Sequence, residues 1–177
     1  MKAQSVASKR ARIPVSVAEK TDGQRPIAIK KILVPTDFSP ASRKSFCYAL
    51  RFAKGLGSKI TLLHVVEPAT SFNMAGLPPE PVGVVEKEFA DAETGLHELV
   101  DEAEAAGVSD AKSMLRAGVA THEIVEAAKD LDVDLIVIAT HGYTGWKYFA
   151  IGSTAERVAR AAPCPVLVVR EKEHDFL

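Results

Sequence analysis

Cysteine is scarce in this chain: only Cys47 and Cys164 occur among 177 residues. Two isolated thiols build no disulfide framework, and no Cys/His/carboxylate spacing surrounds them to hold a metal. Both are read as small packing residues in a reducing, cytoplasmic setting. Long apolar runs are missing too; none approaches the roughly 20 residues that span a bilayer. The basic residues near the start (Lys2, Lys9, Arg10 and Arg12) lead into no apolar segment, so no secretory leader is expected. There is no excess of one charge. Lys and Arg number 22 against 23 Asp and Glu, a net charge of −1, which leaves no footprint for nucleic acid and no pull toward an anionic membrane. The phosphate-loop pattern G-x4-G-K-[ST], the dinucleotide pattern G-x-G-x-x-G and the nucleophile elbow G-x-S-x-G are all absent.

What remains is a chain rich in core formers, with 47% hydrophobic and 25% charged residues, the balance of one globular domain. Residues 1–29 show no sustained periodicity and read as a flexible extension. The organised part, 30–170, alternates two periods. Lys31–Pro35, Lys59–Val66, Ala111–Ala117, Val133–Ala139 and Val166–Arg170 read as strands. Helices are predicted from Ser39-Pro40 (N-cap plus N1 proline) to about Leu56, from Val84 to about Ala106, over Thr121–Leu131 and over Ser153–Ala162. A proline-rich loop joins the second strand to the second helix, and a polar tail, 171–177, closes the chain. Continuous apolar strands between helices predict a single-domain α/β fold, an open parallel sheet covered on both faces. In such sheets ligands bind beyond the carboxyl ends of strands, where the strand order reverses. Asp37, Val65 and Ala139 stand at three such ends.

The stretch after the fourth strand carries the strongest chemical signal. Ala139-Thr-His-Gly142-Tyr-Thr-Gly145 leads through Trp146–Ile151 to Gly152-Ser153-Thr154 and a helix. A strand thus empties into a glycine-rich loop that opens a helix, where free N–H groups favour an anion. Gly142, Gly152, Ser153 and Thr154 are the phosphate candidates. Ser153-Thr-Ala-Glu156 also reads as a capping box that would engage the Ser153 hydroxyl internally. Asp37 is equally open to two readings, a hydrogen-bonding partner for ligand hydroxyls or an Asx turn ahead of Pro40. His64 and His141 fall near the rim and read as hydrogen-bonded structural residues. Lys147 reads as solvated.

Three segments together resemble the universal stress protein family. Gly142, nine residues, Gly152 and Ser153 match its nucleotide loop G-x2-G-x9-G-[S/T], with Ala139 standing where the pattern has its first glycine. Lys31-Ile-Leu-Val-Pro35-Thr36-Asp37 looks like its opening strand and turn, and Pro163-Cys-Pro-Val-Leu-Val-Val169 like its closing strand. The resemblance implies a Rossmann-like sheet of order 3-2-1-4-5 and a bound adenine nucleotide (ATP, or AMP or ADP), with magnesium as a counter-ion to the phosphates. It implies ribose contact by Asp37, base contact by the Val65 main chain, walls from Thr36 and Ile138, a turn stiffened by Pro35 that aims Asp37, and phosphate contact by Gly142, Gly152, Ser153 and Thr154. It further implies a homodimer through Val166–Val169 and a role as a stress sensor or switch. At Ala139 an extended backbone would accept the methyl, whereas a positive φ would strain it; ending a strand favours the first. The alternative is a member that binds no nucleotide and acts through dimer and partner contacts. A slow ATPase has less support, since no base or arginine finger attends the loop.

Overall fold

A computed structural model describes residues 28–67, 82–140 and 152–170. Most of the predicted N-terminal extension, the proline-rich loop, the tail, and His141, Gly142, Gly145 and Lys147 lie outside the described residues.

Among the described residues nine elements alternate: β1 Lys31–Pro35, α1 Pro40–Leu56, β2 Lys59–Val66, α2 Val82–Ala105, β3 Ala111–Ala117, α3 Ala120–Asp130, β4 Leu135–Ala139, α4 Ser153–Ala161 and β5 Val166–Val169. The strands form one sheet, ordered β3-β2-β1-β4-β5, with every neighbouring pair parallel. The expected α/β architecture and order are both present.

The period-2 alternation of each strand sends its apolar residues to two cores. Ile32, Val34, Ile60, Leu62, Leu135 and Val137 pack beneath α1 and α2 with Phe46, Leu96 and Leu99. Leu33, Leu63, Ile136 and Ile138 pack beneath α3 and α4 with Ile124, Ala127, Ala155 and Val158. Phe46 is fully buried, so truncating it to alanine should cost about 3 kcal/mol or more.

Helix α1 shows why local signals succeed here. Ser39 is the extended N-cap, its side chain accepting the Ser42 N–H, and Pro40 takes the first helical position, where no N–H is needed. Gly57 ends the helix in the left-handed conformation, φ 69°, which glycine adopts without steric cost.

The element ends differ from expectation by one or two residues. Helix α2 starts at Val82, not Val84, α3 at Ala120, and β5 stops at Val169. Val133 is not in β4. It is buried, but its N–H closes the end of α3 on the Ala128 carbonyl at 3.1 Å. Its apolar character serves burial rather than strand pairing.

Candidate functional site

The strands around the order reversal have unequal reach. β1 pairs with β2 from Lys31↔Lys59 to Pro35↔Leu63 and stops. β2 continues against β3 through Val65↔Arg116 and Val66↔Ala117, and β4 continues against β5 to Ala139↔Val169. A notch therefore opens above the end of β1, flanked by β2 and β4. Main-chain direction follows from the parallel ladder, in which successive residues face opposite neighbours. Ile60 N–H and Val66 C=O bond toward β3, whereas Leu63 C=O accepts the Thr36 N–H at 2.8 Å. Val65 shares the alternation of Leu63, so its N–H and C=O edge faces the notch.

The floor of the notch is the turn from Thr36 to Ser39. The Thr36 hydroxyl accepts the Phe38 N–H at 3.0 Å and lies 3.1 Å from the Ser42 hydroxyl. Ser42 Oγ donates to the Ser39 carbonyl at 3.0 Å, and Ser45 Oγ donates to the Ser42 carbonyl at 2.8 Å. All four hydroxyl residues are buried and each has a partner, as buried polar groups require. The Asx turn is formed: Asp37 Oδ1 accepts the Ser39 N–H at 3.1 Å. A carboxylate has about four lone-pair sites, so this bond does not exhaust its acceptor capacity. Pro35 and Thr36 are buried, and Thr36 spends its hydroxyl on the turn rather than on the notch surface.

His64 is hydrogen-bonded, as expected. Its Nδ1 lies 2.8 Å from the Thr36 carbonyl, so that nitrogen carries the proton and donates. Beside the notch a cavity of about 380 Å³ lies between β2 and α2, with Phe38, His64 and Val65 on its wall and Glu67, Glu88 and Asp91 around it. Glu67 also accepts the Ala120 N–H at 2.5 Å, capping α3 from another element; Val119 at the N-cap supplies no side-chain bond.

Across the notch, Ala139 is half-buried in β4 and is not among the non-glycine residues with positive φ. Its backbone is extended, as its place at a strand end predicts, and the methyl is tolerated. Ile138 is buried, its side chain in the α3–α4 core. The chain then leaves β4, and the Gly152 N–H returns to the Thr140 carbonyl at 2.6 Å.

The predicted capping box does not form. Gly152, not Ser153, is the N-cap of α4, and no side chain caps it. Ser153 has entered the helix, and Glu156 instead accepts from Arg160 at 2.8 Å, one turn on. A serine already in helical conformation has lost the extended geometry that aims a cap hydroxyl at the first turn. The Gly152 amide is committed to Thr140, so it is the amides of Ser153, Thr154 and Ala155 that lack intrahelical acceptors. Ser153 is exposed and Thr154 half-buried. Among the described residues neither side chain bonds a protein partner.

The notch is thus electrically asymmetric. Carboxylates Glu67, Glu88 and Asp91 stand on the β2 side, and the N-terminus of α4, whose first-turn amides have no acceptor within the helix, stands on the β4 side. An anionic group is favoured only on the second. Among the described residues no cluster of three or more His, Cys, Asp and Glu could hold a metal ion, and no helix is long and apolar enough to cross a membrane. Cys164 packs against the α3–α4 core, and burial, with Asp134 adding, pushes its thiol pKa up, which suits a packing residue.

Two contributors escaped the sequence reading. Ser42 ties the turn to α1. Gly95 in α2 lies against the Phe38 ring. A glycine inside a long helix was the available signal, since it weakens a helix unless something needs its space.

Comparison with known proteins matches residues 28–170 to the universal stress protein family. A universal stress protein of Methanocaldococcus jannaschii is 36% identical over 148 residues, 82% of this chain and 85% of its own length. Universal stress protein UspA of Lactobacillus plantarum superimposes with a TM-score of 0.73 at 29% identity, covering 82% of this chain and 100% of that one. More distant chains share the fold. One is a universal stress protein in complex with cAMP (TM-score 0.59, 24% identity, 82% of this chain and 99% of that one). Another is the Archaeoglobus fulgidus universal stress protein in complex with dAMP (TM-score 0.59, 20% identity, 81% and 99%).

Proposed function

This chain belongs to the universal stress protein family, and we propose that it binds an adenine nucleotide in the notch above β1, as a cytoplasmic sensor or switch. The observation that carries the reading is the alignment of three groups across one opening. The Val65 main-chain edge faces it from β2, Asp37 lies on its floor, and the first-turn amides of α4 lie on the β4 side. The base would meet Val65, with its donor edge toward the acidic side, and the ribose hydroxyls would meet Asp37. The phosphates would lie at Ser153 and Thr154, where the helix dipole and unpaired N–H groups attract an anion. Pro35 would stiffen the turn that carries Asp37, Ile138 and Ala139 would support the walls, and Gly142 and Gly152 are the glycines the family resemblance assigns to the phosphates. Magnesium enters only as a counter-ion to the phosphates. The cAMP and dAMP complexes of proteins sharing this fold lend support to the ligand class.

Isothermal calorimetry with ATP, ADP and AMP tests the reading. Wild type should bind at least one below millimolar concentration, and Gly142→Val should abolish binding with the fold intact by circular dichroism. Ala139→Gly should bind as well or better, because it removes a methyl from an already extended position. If wild type binds none of the three at millimolar ligand, the alternative stands: a member acting through protein contacts alone. We further infer a homodimer paired through β5, since Val166-Leu-Val-Val169 forms an apolar edge of the sheet. Slow hydrolysis of ATP is the least supported activity, because no general base faces the α4 terminus among the described residues.

A further inference from the structure

We propose that Gly95 and Phe38 form a clamp that fixes the direction of the Asp37 carboxylate, which makes Gly95 a positioning residue for ribose recognition. The inference rests on the reading of Asp37 as the ribose contact.

Phe38 directly follows Asp37, and its φ of 61° lies in the left-handed region. A bulky aromatic residue holds that conformation only where its surroundings over-determine it. Those surroundings come from three elements. From β2, the His64 ring lies against the Phe38 ring, centroids 4.7 Å apart and planes inclined by 31°. His64 is itself held by its bond to the Thr36 carbonyl at 2.8 Å. From α1, Ser42 holds the Thr36 hydroxyl at 3.1 Å, and that hydroxyl accepts the Phe38 N–H at 3.0 Å. From α2, Gly95 makes room for the ring: a Cβ at residue 95 would stand 2.8 Å from Phe38 Cε1 and 3.1 Å from Cζ. Gly95 lies within a regular helix and has no positive φ, so neither a turn nor a cap calls for glycine there. The ring is its reason. Any side chain at residue 95 must push the ring, the ring joins a constrained backbone through a single methylene, and the next residue back is Asp37.

The test uses the full-length protein and two probes, AMP and 2′,3′-dideoxy-AMP, which differ only in the ribose hydroxyls. Wild type should prefer AMP. Gly95→Ala should weaken AMP by about tenfold, the scale of one hydrogen bond to a charged group, and leave the dideoxy analogue unchanged. General loosening of the fold would weaken both probes together, so the ratio separates positioning from stability. Phe38→Leu removes the ring without crowding the helix and should collapse the same ratio. Adding Gly95→Ala to Phe38→Leu should then change little, the non-additivity expected of groups in contact. If Gly95→Ala does not fold, Phe38→Leu decides. An AMP preference unchanged in the folded variants overturns the clamp and leaves nucleotide binding standing. A wild type that binds both probes equally overturns the ribose role and the clamp. If wild type binds ATP or ADP but not AMP, the same comparison is made with that nucleotide and its 2′,3′-dideoxy form; a wild type that binds none of them overturns the nucleotide reading itself.

Discussion

Strands β3 and β5 both end the same parallel sheet, yet they meet solvent differently. β3 reads Ala-Lys-Ser-Met-Leu-Arg-Ala and pairs with β2 over seven residues. Lys112 and Ser113 are exposed, and Arg116 reaches back to Asp130 at 2.6 Å and to Glu123 at 3.5 Å. β5 reads Val-Leu-Val-Val and pairs with β4 over four residues. No charge interrupts it, and three of its side chains stay half-buried in the single chain. Charged and ion-paired residues blunt an edge against further pairing, whereas an uninterrupted apolar edge invites it. The contrast teaches that one sheet can be closed on one side by its own side chains and left open on the other.

The largest effect is expected at β5. The Ile136 N–H bonds to the Pro165 carbonyl and the Thr140 N–H to the Val169 carbonyl. Ladder alternation then turns Pro165, Leu167 and Val169 toward β4 and the Val168 N–H toward the open edge. Val168→Pro should therefore convert a dimer to a folded monomer by light scattering while nucleotide affinity is retained. Leu167→Pro should instead break the β4 pairing and lower the melting temperature. A wild type that is monomeric at tens of micromolar would break the comparison at its root.

On the β3 side, Arg116→Met removes both ion pairs and leaves Glu123, whose side chain is only 20% exposed, with only the exposed His122 ring beside it. A loss of about 1 kcal/mol is expected in urea melts, near the upper end for partly exposed pairs. A smaller change follows from Lys112→Val. It should leave stability nearly untouched but add a concentration-dependent, larger species in sedimentation, since a barrier to edge pairing is gone. An unchanged sedimentation profile would show that charge is not what protects this edge.

The smallest effect is a pH limb. The hydrogen bond from Lys59 at the start of β2 holds the Asp110 carboxyl, just before β3, below its ordinary pKa. A depressed folded pKa contributes stability that is present above the unfolded-state value and is lost as pH falls through the folded one. Carboxylate titration by NMR should show the Asp110 midpoint rise toward the ordinary range in Lys59→Met, with the acid limb of stability shifting accordingly. An Asp110 midpoint unmoved by that substitution would remove Lys59 as its cause.

Much of this was legible from residues alone, and the failures are specific. Ser39-Pro40 announced α1 because cap and N1 preferences act within a few residues. Ser153-Thr-Ala-Glu156 announced a cap that is not there, because the Gly152 bond to Thr140 moves the helix start one residue earlier. Val133 read as strand because burial and strand pairing share the same apolar signature. Asp37 and Val65 stand at the carboxyl ends of β1 and β2, a placement strand patterns carry, but the inward commitment of the Thr36 hydroxyl depends on Ser42 and Phe38, which no spacing rule joins. Gly95 left a trace, a glycine inside a helix, without saying what filled its space.

Residues alone specified the order and type of the described elements and the two apolar faces of each strand. These rest on periodicity and on end signals, which are local. Packing between remote segments set the rest: β2 and β4 outreach β1, Val65 turns its main-chain edge into the gap, and the Phe38 ring needs the space at Gly95. Those features depend on register between strands and on contacts between residues remote in the chain, and local propensity carries no record of either.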